Sequence, residues 1–121
     1  MAQPSTVHRI KSYSAASGFV YQYRFHEVLP SRRGTAPGNE YTYLVSADRK
    51  TMFPLKIFVR RDAVERWGKK FGRPLTGTEE YAVAKMRLFD AFDETDNPAD
   101  FLPDLLVDDS NLDALLTRLD L

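Results

Sequence analysis

The chain has 121 residues, 43% hydrophobic and 28% charged, with 17 basic and 17 acidic side chains that cancel to no net charge. That is enough for one domain with a real core and too apolar for a disordered polymer. The absence of cysteine excludes disulfides, thiolate metal sites and a cysteine nucleophile, and with no stretch long enough for a membrane span or signal core the expectation is a soluble, cytoplasmic protein without membrane contact.

Residues 1–17 are rich in Ser, Ala and Thr and read as a flexible arm, with a short strand around Val7–Tyr13. From Gly18 to Leu29 aromatic residues recur with a period of two. Phe19, Tyr21, Tyr23 and Phe25 share one face with Glu27, and Gln22, Arg24 and His26 share the other. Residues 30–39 hold two Pro and two Gly and read as a long loop carrying Arg32 and Arg33. A second strand follows over Glu40–Ala47 and a third over Thr51–Arg60. Pro54 cannot donate to a ladder, so it places the third strand at an edge or delays its start.

The period then changes to that of a helix. Asp62 with Glu65 resembles a capping box before a short helix that ends at Gly72, and Thr76 with Glu79 opens a longer one over Gly77–Asp93. Ser110 with Asp113 suggests one more helix start, followed by a stripe of Leu112, Leu115, Leu116 and Leu119. The expected fold is α+β: a small antiparallel meander of three or more strands, helices packed on one face, and an acidic C-terminal helical tail. The expected organisation is an arm over 1–17, a core over 18–94 and an acidic leucine-containing tail over 95–121, docked or partner-binding.

The zero net charge hides a division. Residues 1–75 hold 14 basic and 5 acidic side chains, and residues 76–121 hold 3 and 12. Such asymmetry points to a basic surface for an anionic partner, an acidic segment for a basic one, or two halves that cover each other. Arg24, His26, Lys56, Phe58 and Arg60, with Arg32 and Arg33 above them, are the candidate binding face, Phe58 and His26 being exposed for stacking. The four leucines of the tail are candidate anchors for a partner groove. Lys85 falls inside the apolar stripe of the long helix, either snorkelling to water or sitting in a pocket, and Glu27 is its candidate partner.

Nothing here resembles a nucleophile elbow, a P-loop, a dinucleotide fingerprint or a zinc motif. No metal ligand set is visible around His8 and His26, and no cofactor is implied. The expectation is a small non-catalytic interaction module whose partner is a protein or a second copy of itself. One alternative is a nucleic-acid or polyanion binder whose acidic tail inhibits it. A further alternative is an enzyme with a pocket near Glu27, Tyr23 and Lys85.

Overall fold

The computed structural model describes residues 9–95 and 104–119. In chain order they form β1 (Lys11–Ser14), β2 (Val20–Arg33), β3 (Ala36–Ser46), β4 (Phe53–Arg60), α1 (Arg61–Phe71), α2 (Gly77–Glu94), β5 (Asp104–Val107) and α3 (Leu112–Arg118). The strands lie in the order of the chain and make one curled, half-barrel sheet with the three helices packed against it. The first four are antiparallel neighbours, while β5 runs parallel to β4. A parallel neighbour needs a crossover, and α1 with α2 supplies it.

Period-two alternation gives each strand one apolar side. Tyr21, Tyr23, Tyr43, Val45, Leu55, Ile57 and Val59 bury against Ala63 and Trp67 of α1 and against Val83, Leu88 and Phe92 of α2. Leu105 and Val107 of β5 and Leu112, Leu115 and Leu116 of α3 belong to the same apolar cluster, with Leu119 half-buried beside it. The C-terminal leucines therefore pack on this chain's own sheet and helices. The alternation Leu105-x-Val107 makes a strand where a helical tail was expected.

The turn expected over 30–39 is much shorter. Both strands run through it in register, Pro30 opposite Asn39 and Arg33 opposite Ala36, so only Gly34 and Thr35 turn. Gly34 takes φ +59°, the left-handed conformation a two-residue hairpin needs at this position. The prolines fit because β1 pairs β2 only over Val20–Tyr23 and β4 reaches β3 only up to Gly38. Each proline thus lies where one side of its strand has no ladder to break. Pro54 is similar, since β5 pairs β4 only from Lys56 onward.

The helix starts divide in the same way. Thr76 caps α2 with a full capping box, its hydroxyl accepting from the Glu79 backbone while the Glu79 carboxylate accepts from the Thr76 backbone. No such box forms at Asp62, because α1 already starts at Arg61 and Asp62 lies inside its first turn, where its carboxylate accepts from Arg60 Nε at 3.0 Å and from a second Arg60 nitrogen at 2.6 Å. Nor does Ser110 cap α3. Its backbone N–H donates to Asp108, and the helix starts after Asn111.

Candidate binding pocket

The strands carry the predicted basic face on the side away from the helices, and there it is not basic. Residues paired across strands share a face, and one row reads Glu27, Thr42, Lys56, Asp104. The next reads Leu29, Glu40, Phe58, Leu106. Lys56 reaches Glu40 at 3.6 Å, and Arg33 reaches Asp104 at 2.6 Å and Glu40 at 3.3 Å. Arg60 is held by Asp62 at 2.6 Å. Of the candidate cations, Arg24 and Arg32 lack a carboxylate partner among the described residues, and Arg32 donates to the Thr35 carbonyl at 3.1 Å.

Phe58 is not available for stacking, being 0% exposed. The hairpin passes directly over it. A Cβ on Gly38 would stand 2.7 Å from the Phe58 ring and 2.3 Å from the Val59 carbonyl, and the Arg33 guanidinium lies 4.9 Å above the ring centroid. Only glycine permits that approach. His26 is exposed at a β-bulge.

That bulge also separates the predicted Glu27–Lys85 pair. Phe25 pairs Tyr43 and Glu27 pairs Thr42, so two steps on β2 match one on β3 and His26 is the extra residue. Beyond it the alternation inverts, and Glu27 joins Thr42 on the outer side, away from α2. No turn residue announced the inversion.

Lys85 does lie in a pocket, with different company. A concavity of about 210 Å³ opens between β1, β2, β3 and α2. Its walls are Tyr23, Phe25, Tyr43 and Tyr81. Among the described residues its charged groups are Arg9, Lys11 and Lys85, and no carboxylate lines it. Lys11 pairs across from Tyr23, so it projects on the helix side, and Arg9 precedes it by one period of the strand. Tyr13, one period later, stacks on Phe89 at 4.4 Å and donates to Asp93 of α2 at 2.6 Å. The other Asp93 oxygen accepts from the Ala16 backbone at 2.9 Å. One carboxylate thus pins the short edge strand that delivers two of the three cations.

The electrostatics are unfinished. The Lys85 ammonium lies 5.7 Å from the Tyr23 ring centroid and 5.9 Å from that of Phe89, contacts that favour a cation. Even so, burial, and then the nearby Lys11 ammonium, hold its pKa below the ordinary lysine value. Lys11 and Lys85 line the same concavity. Tyr43 is 0% exposed, and its hydroxyl has no regular hydrogen-bond partner. Tyr81 approaches it without full hydrogen-bond geometry, and burial first, then that neighbour, push its ionisation above the usual phenol range.

The sequence signal for this site is the alternation Arg9-x-Lys11-x-Tyr13, cationic and aromatic on one side of a strand. It is masked by the Ser- and Ala-rich composition around it. No protein-family model, curated protein or solved structure matches the chain.

Proposed function

We propose that the protein is a small non-catalytic binding module whose ligand is a small oxyanion, a carboxylate or a phosphate, with a planar or apolar body. One observation carries this reading: Lys11 and Lys85 line one concavity that has no carboxylate among the described residues, whereas Arg33, Lys56 and Arg60 are already paired. Two like charges held together cost free energy until an anion sits between them. The phenol of Tyr81 adds a donor, and the rings of Tyr23 and Phe25 add an apolar wall. The volume is below the roughly 300–1,000 Å³ of drug-sized pockets, which suits a ligand of few atoms.

The same contrast argues against a long polyanion as the ligand. A nucleic-acid groove needs a stripe of free cations, and the outer sheet face alternates Glu27, Lys56, Asp104.

The test is an NMR titration with phosphate and with benzoate at constant ionic strength. The expected result is saturable shifts at Lys11, Tyr23, Tyr43 and Lys85, abolished by Lys85→Met. Linear shifts spread over all basic residues would overturn the reading.

A further inference from the structure

We infer that the Lys85 amine bonds covalently and reversibly to the carbonyl carbon of a small oxo acid whose carboxylate is held by Lys11 and Arg9. This rests on the anion-binding reading above and names the ligand class within it. The geometry supplies each requirement. An amine nucleophile needs a desolvated site or a second cation beside it, so that part of it is unprotonated near neutral pH. Lys85 has both. Its ammonium lies near the Tyr23 and Phe89 rings, and Lys11 lines the same concavity.

The groups that bear on its charge are Arg9 and Lys11 from the β1 side, Tyr23 from β2, Tyr43 from β3 and Tyr81 from α2 itself. None is a carboxylate that would hold the ammonium in its charged form. Burial and Lys11 both lower the Lys85 pKa, the direction this chemistry needs.

The step balances without an oxidant or reductant. The amine lone pair adds to the carbonyl carbon, and the carbonyl π pair moves to oxygen. A proton passes from nitrogen to that oxygen, giving a carbinolamine. Loss of the oxygen as water, with a second proton, leaves the C=N bond, so one amine and one carbonyl become one imine and one water. The phenol of Tyr81 lines the same concavity and can donate to the departing oxygen. An anionic ligand serves the geometry twice: its carboxylate neutralises Lys11 and its carbonyl lies one or two bonds away, opposite Lys85.

The test uses the full chain with pyruvate as probe and cyanoborohydride to trap the imine, followed by peptide mapping of all six lysines. Exposed Lys50, Lys56, Lys69 and Lys70 are internal controls. The expected result is a dominant, saturable adduct at Lys85, lost in Lys85→Arg, much reduced in Lys11→Met and unchanged in Lys56→Met. Hydroxyacetone, a neutral ketone, should label Lys85 without saturating. The pH midpoint of trapping should lie below the ordinary lysine value and rise in Lys11→Met. Adducts spread evenly over the lysines would overturn the inference. If phosphate and benzoate still bind saturably while pyruvate leaves no Lys85 adduct, the covalent step is wrong and the binding site stands; if neither binds, both fail.

Discussion

The outer face of the sheet and the pocket under β1 contain the same kinds of residue, cations beside aromatic rings, yet their electrostatics are opposite. On the outer face Arg33 covers Phe58 and is held by Asp104 and Glu40. In the pocket Lys85 sits over Tyr23 and Phe89 with another cation as its neighbour. The difference is one of supply. The C-terminal segment brings carboxylates to the basic half, Asp104 to Arg33, Asp109 to Arg66 and Asp113 to Lys70. Among the described residues it brings none to the pocket. Part of the charge division along the chain is thus taken up in folding, and under the proposed reading the unpaired cations of this concavity are where a ligand fits.

Substitutions can break this comparison, and the largest effect belongs to the outer face. Phe58→Ala should cost about 3–5 kcal/mol in urea unfolding, as for a buried ring; a loss below about 1 kcal/mol would mean the hairpin does not cover it. Gly38→Ala should cost about 1–3 kcal/mol, since its Cβ would collide with backbone and ring. Arg33→Met should cost about 1 kcal/mol or less and reduce the salt dependence of stability, because its partners are part-exposed. Lys85→Met should act with the opposite sign, raising stability slightly, by up to about 1 kcal/mol, because a repelled cation becomes an apolar side chain.

The pH dependence sharpens the contrast. A lysine with a lowered folded pKa binds fewer protons folded than unfolded, so stability rises with pH across the window up to the ordinary lysine value. That rise should vanish in Lys85→Met. Tyr13 moves the other way. Its hydrogen bond to Asp93, then its burial, push it up to about 12 from 10.0. Its contribution is present below pH 10 and is lost as pH rises through about 12. Urea melts at stepped pH, compared with Asp93→Asn, should show this alkaline loss diminish.

Much of the architecture could be read from residue order. The aromatic alternation of β2 and the Thr76–Glu79 box located the sheet and the long helix because their signals are local. Three things were not local. The inversion at His26 depends on how β2 pairs β3, and it moved Glu27 across the sheet. The prolines of the hairpin looked like a loop until β1 and β4 proved too short to reach them. The acidic C-terminal segment looked separable because its Asp residues hide a strand alternation that has meaning only beside β4. Lys85 stood out as a charge in an apolar stripe, but its neighbours could not be found without knowing that β1 joins the sheet.

The most direct measurement is thermal stability at constant ionic strength as chloride is replaced by phosphate, for the native chain, Lys85→Met and Arg24→Met. Binding to the folded state alone raises stability by mass action. The account predicts a saturable increase for the native chain and for Arg24→Met, and none for Lys85→Met. An equal increase in all three would contradict it, placing the anion effect on the general surface and not between Lys11 and Lys85.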